Sequence, residues 1–247
     1  MSAPSRSLQD TVVVITGAGG GIGGATARLA LEAGAKVVVG DLREDRLLAL
    51  QAEYGADRVA VVTGDIRTEA AAEALVAGGV AAFGRVDSVV ANAGIGFYGG
   101  LLDMSADQIE LMIDVNLKGT IWLSRAAVTQ FRKQGDGGDI VIMGSVAGMY
   151  IGGGKEAVYA ATKGAQINFG TALDRELRDE GIRTMVMCPA GVNTPFAAAD
   201  GRFGDTPPEQ GPFMEPADIG GAVIYVLQQP RRMRTELWSM WSLAERH

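Results

Sequence analysis

The 247-residue chain is predicted to be α/β, a doubly wound parallel sheet flanked by helices. Three observations carry the prediction. Short, unbroken apolar runs rich in Val and Ile recur along the chain, the form of parallel strands buried on both faces. Ala-rich stretches of helical length separate them, giving β-α-β-α-β-α-β through Ala91. No linker, charge block, repeat or low-complexity tract interrupts this alternation, so residues 1–247 are expected to form one domain.

Composition narrows the function classes. Hydrophobic residues make up 47% of the chain, enough for a substantial core. The net charge of −7 and the pI near 4.8 argue against a nucleic-acid or anionic-membrane surface, which needs a basic patch. The single cysteine, Cys188, excludes an internal disulfide framework and suits a reducing compartment. Its neighbours Met185, Val186 and Met187 predict a buried, inert thiol. Met1 to Asp10 is short and polar, and no apolar run reaches membrane-spanning length, so a cytoplasmic location is expected.

The first predicted strand, Thr11 to Ile15, runs into Thr16-Gly17-Ala18-Gly19-Gly20-Gly21-Ile22-Gly23-Gly24, and Ala25 to Ala33 reads as a helix. Strand, glycine loop and helix in that order form a phosphate cradle: glycines allow the tight turn and close backbone approach, and the helix start offers free N–H groups. A flexible surface loop is the bland alternative. Lys36 to Asp41 is a second strand ending in an acid, 18 residues after Gly23, where a ribose-binding carboxylate belongs in a dinucleotide fold. Leu42 is placed beside the same ligand. Asp41 followed by Glu44 also resembles a helix capping box. With no Arg or Lys inside the glycine loop, NAD is expected over NADP; Arg43 is the one nearby basic residue that softens this.

Arg58 to Thr63 is a third strand. Asp65 after it is read as capping the helix Thr68 to Phe83, lying beside the adenine with Ile66, or both. A fourth strand, Val86 to Ala91, ends in Asn92-Ala93-Gly94, small residues that let the main chain lie along a flat ligand, though this is also ordinary turn chemistry. Ser105 to Lys118 reads as a helix capped by Ser105. Inside it, Asn116 either faces solvent or sits at a kink and holds a water. Ile121 to Phe131 is a further helix, and Ile140 to Met143 a fifth strand.

That strand finishes at Gly144-Ser145, beyond a carboxyl end, where open α/β sheets bind ligands. Fourteen residues on, Tyr159 and Lys163 stand four apart in a helix running from Val158 to Leu177. That spacing projects both heads from one face, and the ammonium favours the phenolate, making a plausible acid/base pair. The spacing alone more often marks an ordinary exposed face. A sixth strand, Thr184 to Cys188, leads into Pro189-Ala190-Gly191-Val192-Asn193-Thr194-Pro195, where Pro189, Gly191, Val192 and Thr194 are candidate contacts for a carboxamide. Residues 192–215 are read as a substrate loop, with Phe196 to Phe213 lacking either periodicity. Pro216 to Leu227 is a helix and Thr235 to Met240 a last strand.

Together, Thr16-Gly17-x-x-x-Gly21-x-Gly23, Asn92-Ala93-Gly94, Asn116, Ser145, Tyr159-x-x-x-Lys163 and Pro189-x-Gly191-x-x-Thr194 resemble the short-chain dehydrogenase/reductase family from Thr11 to about Leu227. The resemblance implies a Rossmann-type sheet of about seven strands, NAD(P) at the strands' carboxyl ends, and a homotetramer or homodimer. It assigns Tyr159 as acid/base, Ser145 as the group orienting the substrate oxygen, Lys163 as ribose ligand and partner of Tyr159, and Asn116 as holder of a relay water. It needs no metal, and no metal-ligand cluster is visible in the sequence. Departures are Ala91 before Asn92-Ala93-Gly94, Ala190 after the proline, and the C-terminal Arg231-Arg232-Met233-Arg234 through Trp238 and Trp241.

The implied activity is NAD-dependent interconversion of a secondary alcohol and a ketone. Ile95, Phe97, Tyr98, Val146, Met149, Tyr150, Ile151, Phe196 and Phe203 form an apolar set suited to an uncharged substrate. A 3-oxoacyl thioester reductase using NADPH and a non-catalytic dinucleotide-binding sensor are the competing readings.

Overall fold

The computed structural model describes residues 6–149, 154–198 and 213–244. Seven strands form one sheet in the order β3-β2-β1-β4-β5-β6-β7, every neighbouring pair parallel. They are β1 (Val12–Thr16), β2 (Lys36–Asp41), β3 (Val59–Thr63), β4 (Ser88–Ala91), β5 (Gly138–Met143), β6 (Ile182–Pro189) and β7 (Leu237–Met240). The unbroken apolar runs hide a period of two. Val13, Ile15, Val37, Val39, Val141 and Met185 face one core. Val12, Val14, Val38, Ile140, Ile142 and Val186 face the other. Helices cover both sides, which is why no polar face interrupts the strand sequences.

On the first side lie α1 (Gly21–Glu32), α2 (Glu44–Tyr54) and, further along the chain, the helix Pro216–Leu227, contributing Ala27, Leu31, Leu47, Leu50, Ile219 and Val223. On the second lie α3 (Glu69–Phe83), α5 (Gly119–Gln134) and α6 (Ala157–Leu177), contributing Ala72, Leu75, Leu123, Phe131 and Leu177. The remaining helices are α4 (Ala106–Met112) and α7 (Pro195–Ala198), and Pro216–Leu227 is therefore α8.

Several expected boundaries move. Helix α1 starts at Gly21 rather than Ala25, because the glycines themselves take up the first turn. The separate helices expected at 105–118 and 121–131 are joined: a π-helical turn, Ile113–Lys118, connects α4 directly to α5. The segment expected to lack periodicity begins with the short helix α7. Tyr150, Ile151 and Phe203 lie outside the described residues. Among the described residues no helix is long and apolar enough to cross a membrane.

From β1 the chain winds outward through β2 to β3, then returns to place β4 on the other side of β1. The connections leaving β1 and β4 therefore diverge, opening a crevice at the strands' carboxyl ends.

Candidate active site

A cleft of about 450 Å³ occupies that crevice. One wall is the glycine loop. Helix α1 has Gly20 at its N-cap and no side-chain cap, so its first amides remain free to donate to a ligand. Gly23 lets the helix sit on the loop: a Cβ there would lie 2.3 Å from the Gly17 carbonyl oxygen. Asn92 ties the loop to β4, its Nδ2 donating to the carbonyls of Thr16 (2.9 Å) and Gly17 (3.3 Å). In return the Thr16 hydroxyl accepts from the amides of Asn92 and Ala93, both at 3.1 Å.

The Asp41 carboxylate closes the far end of this wall. It accepts from the amide of Gly19 at 3.0 Å and from that of Arg43 at 3.1 Å. It does not cap α2, whose N-cap is Arg43 without a side-chain bond. Nor is Arg43 the only cation there, as the sequence suggested. Arg46 also lines the cleft and donates to the Gly19 carbonyl at 3.3 Å. Its position three residues along α2 from Arg43 was the available signal.

Gly17, Gly19, Gly21, Ile22, Asp41, Asn92, Ala93, Gly94, Pro189, Val192 and Thr194 all line the cleft, together with Tyr159 and Lys163. Gly23, Leu42, Asp65, Ile66 and Gly191 do not. Leu42 is 67% exposed. Asp65 is paired with Arg67, whose guanidinium holds the carboxyl below its usual range, and Thr68 rather than Asp65 caps α3. Ile66 packs against Gly119, where an added Cβ would come within 3.0 Å of it. The Gly191 carbonyl accepts from Met214 at 3.0 Å, and an isolated bridge pairs Val192 with Met214, fixing the segment after β6.

The opposite end of the cleft carries Ser145, Tyr159 and Lys163. Tyr159 and Lys163 share the inner face of α6, each 4% exposed, with the Lys163 Nζ 5.7 Å from the phenol ring centre. The ammonium donates to the Met143 carbonyl at 2.9 Å, at the end of β5. Burial lowers its pKa to about 8. Cys188 is buried, as its neighbours predicted, and burial pushes its thiol up to about 11.

Ser145 begins a 3₁₀ turn, Val146–Gly148, and its hydroxyl accepts from the Ala147 amide at 3.2 Å. This turn packs on the backbone of α6: a Cβ on Gly148 would fall 2.5 Å from the Gly164 nitrogen and 2.5 Å from the Lys163 carbonyl carbon. Glycine at 148 thus sets the approach of the serine turn to the helix carrying Tyr159.

Asn116 lies in the π-helical turn and is fully buried. Its Oδ1 accepts from the Ile95 amide at 2.8 Å. Its Nδ2 donates to the Ile95 carbonyl at 2.9 Å and to the Thr162 hydroxyl at 3.0 Å. The side chain therefore faces protein rather than solvent, joining the chain after β4 to α6. Gly94 lies between, its added Cβ falling 3.3 Å from the Asn116 Oδ1 and 3.6 Å from the Lys163 Nζ.

Apolar groups surround the phenol. The Tyr159 ring lies 5.7 Å from Tyr98 and 5.9 Å from Phe196, and Ile95 and Phe97 belong to the same cluster. Val146 and Met149 pack instead into the core beneath the sheet. The arrangement sets a buried ammonium, a phenol and a hydroxyl at one end of a cleft whose other end is the glycine loop with Asp41.

A family model described as short chain dehydrogenase matches residues 11–203. An uncharacterized oxidoreductase of Staphylococcus aureus (strain USA300) is 33% identical over 226 residues, 92% of this chain and 94% of that protein. A 3-ketoacyl-(acyl-carrier-protein) reductase from Brucella melitensis, solved with NADH, superposes with a TM-score of 0.86 at 29% identity, covering 96% of this chain and 99% of that one. An alcohol dehydrogenase from Thermococcus sibiricus, solved with 5-hydroxy-NADP, also gives 0.86, at 28% identity over 97% and 99%. With the parallel seven-stranded sheet and the family match over most of its length, the chain belongs to the short-chain dehydrogenase/reductase family of oxidoreductases.

Proposed function

We propose that this protein is an NAD-dependent oxidoreductase that interconverts a secondary alcohol and a ketone, with Tyr159 as the acid/base. The observation carrying this reading is the convergence of Ser145, Tyr159 and Lys163 on the cleft walled by the glycine loop. That cleft fits a nicotinamide dinucleotide in the chemistry of its donors: uncapped amides at the start of α1 for the pyrophosphate, and the Asp41 carboxylate for ribose hydroxyls. When bound there, the cofactor supplies the hydride acceptor or donor.

The chain's own residues handle the oxygen and its proton. Tyr159 takes the hydroxyl proton in oxidation and returns one to the carbonyl oxygen in reduction. Lys163, charged below a pKa of about 8 and beside the ring, favours the phenolate and offers its remaining donors to a ribose. Ser145 donates to the substrate oxygen and orients it. Asn116 positions Lys163 and Thr162 through α6, and a relay water would lie on this side of the lysine. Pro189, Val192 and Thr194 hold the carboxamide end. Tyr98 and Phe196, packed on the phenol, favour an uncharged apolar substrate and exclude water.

A second reading is favoured by Arg43 and Arg46. Both stand at the Asp41 end of the cleft, where they suit a 2′-phosphate, so NADP, and with it a 3-oxoacyl thioester reductase, competes with NAD. The same proposal takes the chain as one catalytic domain acting in the cytoplasm as a homodimer or homotetramer, which light scattering on the purified protein tests for assembly.

The experiment is an absorbance screen at the nicotinamide band, with NAD and NADP against secondary alcohols, and with both reduced forms against ketones and a 3-oxoacyl thioester. Turnover of apolar alcohols with NAD, lowered at least about a hundredfold in Tyr159→Phe, is expected. Undiminished turnover in that variant removes the mechanism, and inactivity of the wild type across the panel favours a non-catalytic sensor.

A further inference from the structure

The arginine-rich C-terminal segment that departs from the family pattern builds a second cavity. It has a volume of about 320 Å³ and lies at the amino ends of β5 and β6. Gly138 and Met143 mark the two ends of β5, so the cavity stands roughly 17 Å from the cofactor cleft at 3.3 Å per residue. Arg178, Arg183, Arg231, Arg232 and Arg234 line it, with Asp136 as the single acidic lining residue among those described. Asp136 is already paired with Arg85 at 2.7 Å.

The site is constructed, not a loose surface cluster. Arg183, its side chain 5% exposed, donates through Nε to the buried Asp139 at 2.7 Å. Its Nη1 reaches the carbonyls of Gln229 (3.3 Å), Pro230 (3.3 Å) and Met233 (2.9 Å), clamping the connection that carries the other arginines. Its Nη2 is buried with no hydrogen-bond partner among the described residues.

Asp139 is further bound by Arg6 at 2.6 Å and Arg231 at 3.1 Å. Asp174 is bound by Arg234 and, more distantly, by Arg178 at 3.9 Å. Both carboxylates are fully buried behind the arginines and consumed by them. Arg232 is exposed and has no ion pair or side-chain hydrogen bond among the described residues. Burial lowers the Arg231 pKa, with Arg6 and Arg183 adding to it and Asp139 and Asp136 opposing.

We propose that this cavity binds a small phosphate-bearing anion, received by Arg232 from the rim and by the solvent-facing donors of Arg178, Arg231 and Arg234 that their ion pairs leave over. Planar guanidinium forks match phosphate oxygens bidentately, which suits this chemistry above a chloride or a single carboxylate. An extended polyanion or a membrane surface fits less well, because the chain as a whole carries −7.

The test is calorimetric titration of the full-length protein with pyrophosphate, at an ionic strength fixed by sodium chloride, comparing wild type with Arg232→Gln. Saturable binding at one site, weakened about tenfold in the variant and partly restored by Arg232→Lys, is expected. The same titration with NAD or NADP at saturation should leave that binding unchanged. Equal binding in wild type and variant, no binding at all, or loss of binding on adding dinucleotide each overturns the proposal, the last reassigning the anion to the cleft. Vesicles bearing a phosphatidylinositol phosphate supply the other arm: co-sedimentation without heat from pyrophosphate would make the partner a lipid and overturn the small-molecule assignment.

Discussion

Replacing Lys163 by Met tests the site's electrostatics in a way that activity alone cannot. Burial lowers the Lys163 pKa from 10.5 to about 8. At about 1.4 kcal/mol per unit, holding that ammonium charged in the folded protein costs on the order of 3 kcal/mol. The unfolded chain binds the extra proton between pH 8 and 10.5, so wild-type stability contributed by this group rises with pH across that window. The cost is present in full below pH 8 and relieved above 10.5. A methionine of similar length removes it at every pH. It also strands the Met143 carbonyl, which accepts the ammonium at 2.9 Å, giving back about 1–3 kcal/mol. At pH 7 the net gain of Lys163→Met is therefore small, between about 0 and 2 kcal/mol.

The pH dependence is the sharper signal. The stability difference, variant minus wild type, should fall by about 3 kcal/mol between pH 7 and pH 10.5. Urea denaturation across that range, carried out with Tyr159→Phe in both proteins, measures it without interference from the phenol. Burial raises the Cys188 thiol to about 11, above the window. A flat difference would show that the ammonium is not desolvated as described, and the argument for its influence on Tyr159 would fall with it. Lys163→Met with Tyr159 intact should lose turnover while remaining folded.

Two further perturbations probe the cleft's construction. Gly148→Val drives a side chain into the α6 backbone at Gly164, so it should destabilise by about 1–3 kcal/mol and lower kcat more than it raises KM; unchanged melting and kinetics would contradict the close approach. Asp41→Asn removes the carboxylate proposed to face the ribose while leaving Arg43 and Arg46 in place, so the ratio of kcat/KM for NADP over NAD should rise about tenfold or more. An unmoved ratio would mean that Asp41 only braces Gly19.

The candidate site residues were legible because each rests on a local rule. Tyr159 and Lys163 need only helical spacing to share a face, and Ser145 needs only to follow a strand's carboxyl end. The glycine loop announces itself through the strand and helix that frame it. Partnerships across the chain were not legible in this way. Asn116 read as polar in a helix, while its partners Ile95 and Thr162 lie 21 and 46 residues away. Val146 and Met149 turned into the core because the 3₁₀ turn after Ser145 aims them beneath the sheet.

By itself, then, the sequence determined the alternation of strand and helix, the parallel sheet and the grouping of the candidate site residues, since these follow from periodicity and local spacing. The tertiary structure alone decided that Arg46 joins the Asp41 end of the cleft, and that five arginines from the turn after α6, from β6 and from the segment before β7 meet around one cavity. Contacts of that kind join residues tens of positions apart. Packing of the whole sheet and its helices chooses among them, and no local pattern records the choice.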